Sequence, residues 1–216
     1  MLALLVVLVL GIALGLLRAG SFENMRSAHM ARMPLIFGAL GLQIVGQVLP
    51  QALATVAFVM VLASFGLIFA WAASNVRAAG MAFIAIGAAM NFAVIAANQG
   101  MPISAEAAAR SGYTGDLNHL VIRGKHVLDA EGDARLRILS DWIPLGGNPS
   151  AASIGDLVLW SGLVLLLQDL IAGPRGRRSL RDEADETEAL LDSPRSGHED
   201  DTHVRIRRGP YPQSDG

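Results

Sequence analysis

Cysteine is absent from the 216 residues, which excludes disulfides, thiolate metal sites and cysteine nucleophiles. Lysine occurs once, at Lys125. Charge is scarce before Asn98, where Arg18, Glu23, Arg26, Arg32 and Arg77 are the formally charged side chains. The chain has no HExxH pair, EF-hand loop, GxSxG elbow, Walker A loop or nucleotide-binding glycine pattern. No cofactor is therefore expected. The net charge of −2 conceals blocks of opposite sign, so it gives no reason to expect a nucleic-acid partner.

What is present is a set of five apolar runs: Leu2 to Leu17, Pro34 to Leu49, Ala52 to Ala73, Gly80 to Ala97 and Ile154 to Ala172. A helix rises about 1.5 Å per residue, and a bilayer core is about 30 Å thick. The longer runs span that distance, and the shorter ones do so with local thinning. The expected fold is an all-α integral membrane protein with five transmembrane helices. Residues 1–172 form the membrane domain, and residues 173–216 form a disordered cytoplasmic tail, too polar to bury a core. A short helix through Ser179 to Leu191 is compatible with that tail. The first run is not read as a signal peptide, because its basic residue, Arg18, follows the run and no small-residue cleavage site comes after it. Between runs four and five lies the one long polar segment, Asn98 to Ser153, expected to be a mostly irregular extracytoplasmic cap.

Arginine placement sets the orientation. The loop after run one carries Arg18, Arg26 and Arg32, the loop after run three carries Arg77, and the stretch after run five carries Arg175, Arg177, Arg178 and Arg181. These lie on one side of a five-helix protein. By the positive-inside rule that side is cytoplasmic, with the N-terminus and the cap outside.

Each candidate polar group has a structural reading beside a functional one. Gln43 and Gln47, with Asn91 and Asn98, line a polar groove or make ordinary interhelical bonds. Gly11 and Gly15 form a GxxxG spacing, although glycine is common in membrane helices anyway. Ala82, Ala85, Ala89, Ala93 and Ala96 form a small-residue face suited to close packing. Asp156 follows Ser153 in a capping-box pattern, which explains it fully. Ser104 caps a short helix through Glu106 to Arg110. Trp142 suits headgroup depth. His119, His126, Asp129, Asp141 and Asp156 match no metal-ligand spacing, so no metal is expected. Lys125 and His126, beside Arg123, form a cationic cluster suited to a phosphate or lipid headgroup, or to solvated ion pairs with Asp129 or Asp133.

Four motifs in order resemble an uncharacterised bacterial membrane-protein family, domain of unknown function fifty-three seventeen. They are Asn98-x-Gly100-Met101-Pro102-Ile103-Ser104, Lys125-His126-Val127-Leu128, Leu139-x-Asp141-x-Ile143-Pro144-Leu145 and Ser153-Ile154-Gly155-Asp156. The resemblance covers residues 1–172; the loop after run one has fewer basic residues than the family pattern. It implies the architecture and no mechanism. It marks Asn98, Met101, Pro102, Lys125, His126, Asp141, Pro144 and Asp156 as the candidate functional cluster. Three functions fit: a non-enzymatic membrane protein that binds a protein partner or lipid headgroup through its cap; an enzyme acting on a lipid or polyprenyl phosphate, with His126 as acid or base, Lys125 on the phosphate and Asp141 as orienter; and a small transporter using Gln43, Gln47 and Asn91.

Overall fold

The structure is a computed structural model that describes residues 2–110, 126–129, 133–145 and 150–192. Met1–Arg178 form one compact unit and Ser179–Gly216 a second. In the first unit the apolar runs become α1 (Leu2–Leu17), α3 (Met33–Val48), α4 (Ala54–Ser74), α5 (Met81–Asn98) and the first part of α7 (Ile154–Asp192). A short α2 (Phe22–Ser27) follows α1, and a 3-10 turn over Gln51–Leu53 leads into α4. Helix α7 breaks at Gly173, whose φ of 65° is left-handed, and its backbone is helical again to Asp192. Among the described residues, three helices are long and apolar enough to cross a membrane: Ala54–Ser74, Met81–Asn98 and Ile154–Gly173. Ala3–Leu17 and Met33–Val48 are also apolar, and shorter.

The bundle is built by adjacency. Helix α3 packs on α4, and α4 on α5. A core of Val61, Phe65, Ile68, Trp71, Ile84, Ala88, Val94 and Ile95 runs between them. Helix α7 lies against α5 antiparallel. A Cβ on Gly87 would meet the Gly155 carbonyl at 2.6 Å, and one on Gly162 would meet the Gly80 carbonyl at 2.6 Å. Glycine on both sides lets the two backbones approach closely. Helix α1 runs parallel to α7, with Gly11 against Leu167 and Gly15 against Ile171. The GxxxG pair is thus a packing surface, contrary to the reading of glycine as mere membrane-helix composition.

The alanine face behaves differently. Ala85 is buried, while Ala82, Ala89, Ala93 and Ala96 are exposed. Glycine at 80 and 87 takes the close contact instead, because its approach distance is shorter than alanine allows. Hydroxyls within the helices are satisfied locally: Ser64 donates to the Val61 carbonyl and Ser161 to the Leu157 carbonyl. Leu4, Leu5, Val9, Phe37, Ile44, Val59, Phe83 and Ile86 point outward. A shell of this kind suits hydrocarbon rather than water.

Two clamps of one design hold the loops onto the bundle. Asn75, at the end of α4, donates to the Trp71 carbonyl and exchanges both backbone bonds with Ala31. Asn98, at the end of α5, donates to the Val94 carbonyl and exchanges both backbone bonds with Arg135. At the end of the first part of α7, just before the break at Gly173, the Ser21 amide bonds the Ile171 carbonyl at 2.9 Å, and the Asn24 side chain reaches Ile171 and Ala172. Carbonyls at a helix terminus have no partner within the helix, so the α1–α2 loop closes this one.

The segment after α5 is more regular than expected. Gln99 turns the chain out of the helix with a left-handed φ of 57°. It leads into β1 (Met101–Ser104), which pairs parallel with β2 (His126–Asp129). The other edge of β1 is bridged by Asp141, whose amide bonds the Pro102 carbonyl and whose carbonyl accepts from Ser104. Strand β3 (Ile143–Leu145) pairs antiparallel with β4 (Ser150–Ala152), which feeds α7. Helix α6 (Ala105–Arg110) follows β1 directly. Met101 and Leu139 pack onto the bundle core and seat the cap.

Candidate functional site

Two polar constellations stand out, and they differ in kind. The first joins α5 to the start of α7. Asn91 is fully buried. Its amide donates to Asp156 Oδ1 at 2.7 Å, and its carbonyl oxygen accepts from Ser153 Oγ at 3.1 Å. Ser153 and Asp156 cap α7 reciprocally: the Asp156 amide donates to Ser153 Oγ, and the Ser153 amide donates to Asp156 Oδ2. The capping box is therefore present, but it does not explain Asp156 fully, since Asp156 also binds Asn91 across the seam. Gly155 has no room for a Cβ, which would collide with Asn91 Oδ1. Every group here has a partner, and the arrangement is structural.

The second constellation is a cleft of about 440 Å³ in the cap. Ser104, Glu106, Ala107, Arg110, Asp129, Arg137, Ile138, Ser140 and Trp142 line it. Strand pleating explains the choice. Ser104 pairs with Asp129 across β1 and β2, and Ile103 pairs with Asp141 across the other edge. Side chains alternate faces along an extended chain. Ser104, Asp129, Ser140 and Trp142 thus share the cleft face, while Ile103 and Asp141 turn away from it and are buried.

Charge in the cleft is balanced and graded by depth. At the rim, Arg110 and Glu106 form an exposed i,i+4 pair at 2.6 Å. Deeper, the Asp129 carboxylate is only 7% exposed; it accepts from the Ala134 amide and lies 3.8 Å from Arg137 Nε. Ser140 is 3% exposed, and its hydroxyl has no hydrogen-bond partner among the described residues. Trp142 donates its indole N–H to the Ile138 carbonyl, which fixes the ring at the mouth. Ile138 is 68% exposed and Leu136 is 49% exposed beside it.

The sequence-marked residues scatter across these settings. Asn98 is a loop clamp. Met101 and Pro102 are buried framework of β1. Asp141 is buried on the face opposite the cleft, 3% exposed. Pro144 is exposed on β3 and paired with Ala151. Asp156 belongs to the seam. Lys125 lies outside the described residues, and of His126 only the backbone, paired with Met101, is described. Asn91 is turned to α7, whereas Gln43 and Gln47 sit on α3, which packs on α4; these amides do not share one groove. Ser104 caps α6 through the Ala107 amide, as its position suggests. Sequence reasoning missed Ser140 as a site residue and treated Asp129 only as a possible salt-bridge or metal partner. The available signal was the Ser140-Asp141-Trp142 alternation: once Asp141 is placed inward on an extended chain, its neighbours must face outward.

Among the described residues, no group of three or more histidine, aspartate or glutamate side chains is placed to hold a metal ion. No curated protein and no solved structure matches the chain. A family model does match, over residues 27–168, which takes in the helices α3 to α5, the whole cap and most of the first part of α7. By that match, extending over more than half of its length, the chain belongs to the family of unknown function DUF5317.

Proposed function

We propose that this chain is a five-span integral membrane protein of a bacterial inner membrane whose extracytoplasmic cap carries a ligand-binding cleft. Its role is to bind, not to catalyse. The observation that carries this reading is the cleft itself, with the buried Ser140 hydroxyl, which has no partner among the described residues, and the buried Asp129 carboxylate. Buried polar groups are normally satisfied, so a hydroxyl without a partner in the wall of a cleft is suited to a bound group. The catalytic alternative draws less support: its orienter, Asp141, is turned away from the cleft.

The alternating directions of the helices support the orientation. Helices α1 and α7 run parallel, and α5 runs against them. The arginines at 18, 26, 32 and 77 therefore lie at the end opposite the cap. Positive charge is retained on the cytoplasmic side. Reporter fusions test this. Fusions after Arg77 are expected to report cytoplasm, and fusions after Gly146 the outside; a cytoplasmic signal at Gly146 would overturn the orientation. Binding is tested by ligand titration of the purified full-length chain, in which a saturable signal weakened in Ser140→Ala is the expected result.

A further inference from the structure

The geometry points to a specific ligand class for the cleft: a phospholipid headgroup with a primary ammonium, of the phosphoethanolamine type. This rests on the cleft being a binding site, as argued above, and goes further by naming what it takes.

The deep wall of the cleft offers oxygen acceptors. The Asp129 carboxylate is nearly buried and carries an ion pair of only 3.8 Å and one amide hydrogen bond. A carboxylate has about four lone-pair positions, so it retains capacity for further donors. Ser140 Oγ has no partner among the described residues, and Ser104 Oγ receives only a long bond of 3.4 Å from the Ala107 amide. Ser104 is the register partner of Asp129, and Ser140 precedes the residue bridged to the other edge of β1. Three acceptors on one face match the three N–H donors of a primary ammonium. A trimethylammonium has no N–H and leaves the two hydroxyls unsatisfied.

The mouth offers the opposite chemistry. Arg110 and Arg137 expose more than two thirds of their side chains there. Guanidinium groups at such a rim suit phosphate oxygens. An anionic headgroup lacking the ammonium satisfies the rim and leaves Asp129 facing it unfavourably. Beyond the rim, Leu136, Ile138 and Trp142 give an exposed apolar shoulder. Apolar side chains and tryptophan at that level suit the acyl–headgroup boundary. The shoulder selects a lipid over free phosphoethanolamine.

The test uses the full-length chain in an uncharged detergent, titrated with short-chain phosphatidylethanolamine, phosphatidylcholine, phosphatidylglycerol and free phosphoethanolamine, and read by calorimetry. Saturable binding of phosphatidylethanolamine, at least about tenfold tighter than of the other three, is expected. Asp129→Asn should weaken it by about tenfold or more, and Ser140→Ala by about fivefold. Ser140→Ala removes one buried oxygen and keeps the test decisive if Asp129→Asn does not fold, as judged by thermal melting. Equal binding of phosphatidylcholine, or no effect of Ser140→Ala, overturns the primary-ammonium assignment. Free phosphoethanolamine binding as tightly as the lipid overturns the lipid source. Saturable phosphatidylglycerol binding weakened by Arg137→Ala, without binding of phosphatidylethanolamine, overturns this assignment while leaving the cleft a binding site. Absence of saturable binding by all four overturns both readings.

Discussion

The α5–α7 seam and the cap cleft are made from the same residue types and treat them oppositely. In the seam, Asn91, Ser153 and Asp156 are closed into one network, and glycines on both helices leave no space between the backbones. In the cleft, Ser140, Asp129 and Ser104 face about 440 Å³ of open volume, and the Ser140 hydroxyl is without a partner among the described residues. The difference teaches that polarity at a helix end is not itself a functional signal. A polar group matters for ligands where its hydrogen-bonding capacity is unfilled and reachable, and the seam fails on both counts.

Mutations can break or sharpen that contrast. The largest effect is expected at Gly155→Ala, because the added Cβ collides with Asn91 Oδ1 and neither backbone can retreat. Overpacking costs typically 1–3 kcal/mol, and about 3 kcal/mol is expected here, read as a large drop in melting temperature in detergent. Wild-type melting would mean that the seam is looser than the glycine contacts indicate. Next comes Asp156→Ala, which strips the partner from Asn91 and from the Ser153 amide. A loss of about 2–3 kcal/mol is expected in denaturant titration, with Asp156→Asn recovering part of it. A neutral Asp156→Ala would refute the closed network.

A smaller effect is expected from Asn98→Ala, about 1–2 kcal/mol for the clamp bonds to Arg135. Its signature is local: hydrogen exchange should rise at 133–139 and not in α5. Uniform exchange across both would show that the cap is not held through this clamp. The smallest effect on stability is expected from Ser140→Ala, which removes a hydroxyl with no partner among the described residues and should leave melting unchanged or slightly raised. A clear destabilisation would place Ser140 among framework residues and erase the contrast with the seam.

The helices were readable because long apolar runs stand out in the sequence itself, and their bounds fall within two residues of the expected ones over Leu2–Leu17, Met33–Val48, Ala54–Ser74 and Met81–Asn98. The capping residues Ser104 and Ser153 were readable because capping is local. Helix neighbours were not, since a glycine declares close approach without naming its partner; Gly87 meets Gly155 across 68 positions of chain. The short strands of the cap were hidden because three- and four-residue strands carry too little alternation to register. That concealment misplaced Asp141, whose side depends on its bridge to Ile103, and passed over Ser140, whose side depends on Asp141.

The closure of α7 by Ser21 and Asn24 has a consequence for how the chain is made. Asn24 and its acceptor Ile171 are 147 positions apart, and α1 finds its glycine contacts on the same helix. Helix α1 therefore waits for the first part of α7, which follows α3 to α5 in the chain. Contacts this distant in sequence are slow to form, and synthesis at about 5–20 residues per second separates the two residues by about 7–30 seconds. Until then α1 lacks the contacts that Gly11 and Gly15 make with Leu167 and Ile171. Assembly order is thus written into a pair of loop residues: α1 is fastened only once α7 is there to receive it.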